Sequence, residues 1–173
     1  MTKRIFIKNN LKLEEKTHSS DIGIDVRCTS EPKVIGVKAT DGNWRSVDFI
    51  EFETNLFIDC LQKNSETNLY IDVRPRSSIS KYNLLLANSV GLIDPEYRDQ
   101  IFVRFKYVFQ PKDLKWDAQL EQFVCSIDFD KVYKNGDKIC QLIVNETIEV
   151  EHVYVPELAP SRRSTGKFGS TGE

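Results

Sequence analysis

Along most of the chain, hydrophobic and polar positions alternate with a period of two, the pattern of strands that bury one face. In "TNLYIDVR", Leu69, Ile71 and Val73 fall on one side, with Asn68, Tyr70 and Asp72 on the other. "QIFVRFKYVF" repeats the pattern through Ile101, Val103, Phe105, Tyr107 and Phe109. "VDFIEFETNLFIDC", "DKICQLIVN" and "TIEVEHVYV" are further β-rich runs, separated by polar or glycine-containing turns. This strand count predicts an all-β chain, a sandwich or barrel. Two stretches depart from the rhythm and read as loop elaborations on one core. Residues 30–46 contain Gly36 and an Asp41-Gly42 turn signal and suit an added hairpin. Residues 110–123 set Leu114 with Ala118, and Trp116 with Leu120, at helical spacing, but the run is short and follows Pro111. "SISKYNLLL", after Arg76, has room for a short helix.

The length of 173 residues suits one core. A formal net charge of −2 argues against a protein that coats nucleic acid or an anionic membrane, so any phosphate chemistry has to be local. The basic start "MTKRIFIKNN" has only Ile5, Phe6 and Ile7 as an apolar run, too short for a secretory signal, and no stretch is long enough to span a membrane. A cytoplasmic protein is expected. Cys28, Cys60, Cys125 and Cys140 are dispersed and His18 and His152 are the only histidines, so metal-ligand spacing is absent. The cysteines sit in apolar surroundings and read as buried, reduced thiols.

Five punctuated segments stand apart from the strands: "DIGIDV" (21–26), "RPRSSIS" (74–80), "GLIDPEYRDQ" (91–100), "GDKICQLI" (136–143) and the tail "STGKFGSTGE" with the preceding Arg163. In the second, Pro75 stiffens the chain before Arg76, Ser77 and Ser78, and a guanidinium beside two hydroxyls suits phosphate oxygens; a solvated turn is the plainer alternative. In the third, Asp94 between Leu92-Ile93 and Pro95 is either a carboxylate held to orient a water or an ordinary turn-initiating Asp. In the fourth, Gln141 among Ile139, Leu142 and Ile143 either braces a neighbouring backbone or faces a ligand. In the tail, Gly166, Gly169 and Gly172 among serines and threonines fit a frayed end or a phosphate-gripping loop.

In order and content these five segments resemble the five motifs of the trimeric deoxyuridine triphosphate nucleotidohydrolases (dUTPases), from about residue 21 to the end of the chain. The resemblance implies a jelly-roll-like β barrel over residues 1–160 with insertions near 30–46 and 110–123, and a flexible arm at 161–173 closing over the active site of another subunit of a homotrimer. It implies hydrolysis of dUTP to dUMP and pyrophosphate, which limits uracil in DNA and supplies dUMP for thymidylate synthesis. Asp94 would hold the water that attacks the α-phosphorus. Tyr97 would lie under the deoxyribose and exclude a 2′-hydroxyl. Asn88, with backbone groups of Gly91 and Ile93 in the same hairpin, would read the uracil edge. Arg76, Ser77 and Ser78 would contact the phosphates, Gln141 the α-phosphate or the water, and Asp25 would support the site. Arg163 would reach the γ-phosphate, Phe168 would cover the uracil, and Gly169, Ser170 and Thr171 would grip the γ-phosphate. Mg2+ would be held by the triphosphate and water with no direct protein ligand.

Ser78, Asp99, Ser164 and Lys167 stand where the family usually has glycine, which raises the question of positive φ at the first two. A dCTP deaminase of the same fold is the nearest rival, since its second motif also reads "RSS". It needs a glutamate where this chain has Arg104, and it tends to lack a tyrosine equivalent to Tyr97. The other alternative is a dUTPase-like interaction module that takes a protein partner through the inserted loops.

Overall fold

The strand between Leu69 and Pro75 shows how the alternation folds. Leu69, Ile71 and Val73 are buried while Tyr70, Asp72 and Arg74 face outward. In this computed structural model, which describes residues 3–8, 13, 18, 20–39, 42–61 and 68–160, twelve strands form three antiparallel sheets among the described residues. Strand β12 (Lys138–Glu146) lies between β2 (Ile24–Arg27) and β6 (Leu69–Pro75), and β8 (Gly91–Ile93) flanks β6 on the far side. The larger sheet runs β10 (Leu114–Asp117), β11 (Gln122–Cys125), β4 (Trp44–Glu53), β9 (Phe102–Tyr107), β7 (Leu84–Leu86), with β3 (Lys33–Lys38) alongside β4. A short pair joins β1 (Phe6–Lys8) to β5 (Phe57–Asp59). The expected all-β barrel is observed, with the sheet curled as a half-barrel.

One core holds the sheets together. Ile50, Phe52, Ile71, Phe105, Ile139 and Leu142 are each fully buried, and each such side chain contributes about 1.5–3 kcal/mol relative to exposure. Phe52 meets Phe105 edge-on with ring centroids 5.9 Å apart, and Tyr133 closes the cluster 6.3 Å from Phe52. All four cysteines are buried thiols outside any disulfide, as expected. Burial pushes the Cys140 thiol up to about 12, so it is no nucleophile near neutrality. Among the described residues no helix is long and apolar enough to cross a membrane.

The topology has one consequence for function. β7 pairs with β9 in the large sheet, whereas β8 pairs with β6 in the four-stranded sheet. Residues 87–90 therefore carry the chain across the seam between the sheets, through Ser89 at a φ of 60°. Asn88 and Gly91 stand on that crossing.

The two stretches that depart from the alternation fold differently. Residues 30–46 do form a hairpin, β3 against the start of β4, around the Gly42 turn at a φ of +85°. Residues 110–123 hold no α-helix: a 3-10 turn at Pro111–Asp113 leads into the β10–β11 hairpin. Asp117 decides this, because its Oδ1 accepts from the N–H groups of Gln119 (2.9 Å) and Leu120 (3.0 Å) and turns the chain before a helical turn can form. "SISKYNLLL" does begin in a 3-10 helix, Ser77–Lys81. "TIEVEHVYV" is not a strand. β12 ends at Glu146, and Ile148, Val150 and Tyr154 are exposed because no described strand lies beside them to pair.

Candidate active site

Arg76 leaves β6 just beyond Pro75 in an extended conformation, and its guanidinium folds back across the four-stranded sheet. Nε donates to Asp25 Oδ1 at 2.8 Å, and Lys138 Nζ sits 3.1 Å from Asp25 Oδ2. One carboxylate on β2 thus holds two cations, from the ends of β6 and β12. Arg76 Nη1 also reaches Ser78 Oγ at 3.4 Å. Ser77 is exposed at the start of the 3-10 turn. Ser78 and Asp99 both lie outside the positive-φ set, so a side chain fits at either place without left-handed strain.

Gln141 is half-buried on β12, in register with Asp25 of β2 and Arg74 of β6. A Cβ on Gly23 would stand 2.5 Å from Gln141 Oε1, so the glycine is what lets the amide lie against the "DIGIDV" backbone. These residues form one cluster: Asp25, Arg76, Ser78, Lys138 and Gln141.

A second group gathers around a cavity of about 560 Å3 at the seam, lined by Asn88, Gly91, Ile93 and Tyr97 together with Phe49 and Arg104. Gly91 is required by close approach, since a Cβ there would meet Val73 at 3.0 Å and the Asn88 amide nitrogen at 3.3 Å. Arg104 is locked in place: Nε and Nη2 pair with Glu51 Oε2 at 2.9 and 2.8 Å, and the guanidinium stacks 4.5 Å from the Phe49 ring centre. Among the described residues no Asp or Glu lines the cavity. Asp94 is exposed immediately after β8, and Tyr97 N–H donates to Asp94 O at 3.1 Å, closing a β-turn with Pro95 in its second place. The Tyr97 hydroxyl donates to Gln100 O at 2.8 Å.

The structure thus brings Asn88, Gly91, Ile93 and Tyr97 together, with Asp94 on the adjoining turn. It brings Asp25, Arg76, Ser78 and Gln141 together elsewhere, and none of these four lines the cavity. Arg163, Phe168, Gly169, Ser170 and Thr171 lie outside the described residues, as do Ser164 and Lys167. Lys138, Gly23, Phe49 and Arg98 escaped the sequence reading as site residues. Arg98 alone carried a visible signal, a cation directly after the "DPEY" turn. Among the described residues, no group of three His, Cys, Asp or Glu is placed to hold a metal ion.

The all-β barrel matches the fold of solved dUTPases. The dUTPase of Staphylococcus bacteriophage 80alpha, solved with dUpNHpp, matches 99% of this chain and 100% of its own with a TM-score of 0.67 at 19% identity. A mutant dUTPase from phage phi11 of S. aureus, described with a structural Mg(II) ion, matches 89% and 97% with a TM-score of 0.56 at 18% identity. In sequence, the deoxyuridine 5'-triphosphate nucleotidohydrolase of Finegoldia magna is 26% identical over 99% of both chains. That of Treponema pallidum is 31% identical over 105 residues, 60% of each chain. No protein-family profile matches. In sequence this chain is thus similar to named dUTPases, and in fold it is similar to solved dUTPases.

Proposed function

We propose that the protein hydrolyses dUTP to dUMP and pyrophosphate. The observation that carries this reading is the seam cavity, where the Asn88 amide and the Tyr97 ring share one space and the Asp94 carboxylate stands on the adjoining turn. Asn88 and the hairpin backbone present donors and acceptors to the uracil edge, and a cytosine leaves one of them unpaired. Tyr97 packs under the deoxyribose, where its ring leaves no room for a 2′-hydroxyl. Asp94 orients a water for attack on the α-phosphorus and accepts its proton. Arg76, with Ser77, Ser78 and Gln141, meets the phosphates, and the Asp25 carboxylate fixes its guanidinium.

Arg76 and Gln141 do not reach the seam cavity of their own chain, which fits a site completed by another copy and so a homotrimer. In the same reading residues 161–173 form an arm that closes over a neighbour's site, with Arg163, Ser170 and Thr171 on the γ-phosphate and Phe168 over the base. The phosphate-side residues are cationic or neutral donors, a set that fits phosphate oxygens rather than a metal. Mg2+ would accordingly be held by the triphosphate and water, and when bound it would offset the charge of the phosphates. Free nucleotide, not nucleic acid, is the substrate, and the four buried thiols, none in a disulfide, suit the reducing cytoplasm.

The deaminase alternative is disfavoured by the cavity wall, which offers Arg104 paired to Glu51 and, among the described residues, no carboxylate for proton transfer to the base. One observation favours an added role in protein binding: Trp116 and Phe123, edge-on at 5.3 Å on the β10–β11 hairpin, are 58% and 63% exposed. The purified protein with Mg2+ and either dUTP or dCTP tests the main reading, with pyrophosphate and ammonia as readouts. Pyrophosphate from dUTP alone is expected; ammonia from dCTP would replace the reading with the deaminase, and neither product would leave the interaction module.

A further inference from the structure

Between β8 and Ile101 the chain runs through residues 94–100 without regular structure, although this stretch carries Asp94 and Tyr97. Its start is held by the pairing of β8 with β6, and its end by Ile101 N–H to Leu56 O at 2.9 Å. The bonds from Tyr97 N–H to Asp94 O, from the Tyr97 hydroxyl to Gln100 O and from Gln100 N–H to Asp99 Oδ1 are internal to the segment. They shape it without fixing it to the barrel.

Arg98 supplies that connection. Its Nη1 donates to Pro95 O at 2.7 Å and to Tyr97 O at 2.9 Å, and its Nη2 lies 2.8 Å from Asp59 Oδ1. Asp59 is itself anchored at the end of β5, where Oδ1 accepts from Leu61 N–H at 2.9 Å. One planar group thus holds the peptide that follows Pro95, the peptide that follows Tyr97, and a neighbouring strand. We infer that Arg98 is a positioning residue, one that fixes the Asp94 carboxylate and the Tyr97 ring relative to each other and to the barrel. This builds on the proposed dUTP hydrolysis.

Stability is not what the contact supplies. The Arg98 side chain is 44% exposed and Asp59 37%, so the ion pair is screened and adds little to folding. Geometry is a different matter, since a misplacement of about 1 Å at a reacting group can cost roughly 100-fold in rate. Lysine cannot substitute, because its ammonium lacks the fixed fork that meets two carbonyls and a carboxylate in one plane.

Arg98→Gln, Arg98→Lys and Asp59→Asn test the inference by two independent readouts in the full-length protein. The first is steady-state turnover of dUTP and UTP. Arg98→Gln is expected to lower kcat by roughly 10- to 100-fold and to narrow the dUTP-over-UTP preference several-fold. Arg98→Lys should not rescue it, and Asp59→Asn should show part of the same loss. The second readout is amide hydrogen exchange at Tyr97, which should speed up by about tenfold in Arg98→Gln while exchange at Ile71 and Phe105 stays as in the parent. Wild-type protein that fails to turn over dUTP would refute the functional reading and leave the exchange experiment to decide this one. Unchanged Tyr97 exchange, or a kcat loss with the dUTP-over-UTP preference intact, would overturn the positioning role.

Discussion

Asp94 is exposed on a turn whose backbone bonds set its place. Asp94→Asn keeps the shape and removes the proton acceptor, so turnover should fall by at least about 100-fold while a non-hydrolysable dUTP analogue still binds, as calorimetry can measure. Gly23 offers a second residue-level test. A methyl group there would displace Gln141, so Gly23→Ala should lower turnover several-fold at nearly unchanged thermal stability; parental activity would mean that the position of Gln141 does not matter. Asp94, Tyr97 and Arg76 stand out in the sequence because each sits in a short segment with its own punctuation, whereas Asn88 is singled out only by the family resemblance. The partners that hold them were not. Asp59 lies far from Arg98 in sequence and Lys138 far from Asp25, and such pairs are brought together only by strand register.

At the scale of elements, the β10–β11 hairpin is held at its base by a buried carboxylate. Asp113, 2% exposed, accepts from the Tyr107 hydroxyl at 3.0 Å and from Gln110 N–H at 2.8 Å, and the same hydroxyl accepts from Asp128 N–H at 3.1 Å. Asp113→Ala leaves the buried Tyr107 hydroxyl and the half-buried Gln110 N–H without their acceptor, so denaturant unfolding should show a loss of about 2–3 kcal/mol. The hairpin stands away from the seam cavity, so Trp116→Ser with Phe123→Ser should leave dUTP turnover at the parental level. This is also where the sequence misled most. Leu114 with Ala118 and Trp116 with Leu120 fall at helical spacing by coincidence, while the Asp117 side chain turns the chain and leaves Trp116 and Phe123 as a cross-strand pair. Residues 147–155 alternate as a strand does, yet alternation cannot supply a neighbour to pair with, and within one chain these residues find none among those described. Residues 30–46 were readable because alternation and the Asp41-Gly42 turn agree.

For the whole molecule, burial sets an alkaline limit. Cys140 and Tyr133 are both pushed up to about 12 by desolvation, from ordinary values of 9.0 and 10.0. The unfolded chain releases these protons first, so stability is full below about pH 9 and declines as pH rises toward 12. Among the described residues the buried Tyr133 hydroxyl has no hydrogen-bond partner. Tyr133→Phe should therefore cost little at neutral pH and flatten the decline above about pH 10, as urea unfolding across that range would show. The separation of the two residue clusters bears on assembly. Inactive Asp94→Asn and Arg76→Ala chains should regain activity when co-expressed, because a site shared between copies can draw an intact Asp94 from one and an intact Arg76 from another. Hydrolysis of dUTP at the α-phosphorus is tested most directly by turnover in oxygen-18 water with Mg2+ present. Label in dUMP, with none in pyrophosphate, is the predicted result; label in pyrophosphate, or no cleavage of dUTP at all, would contradict it.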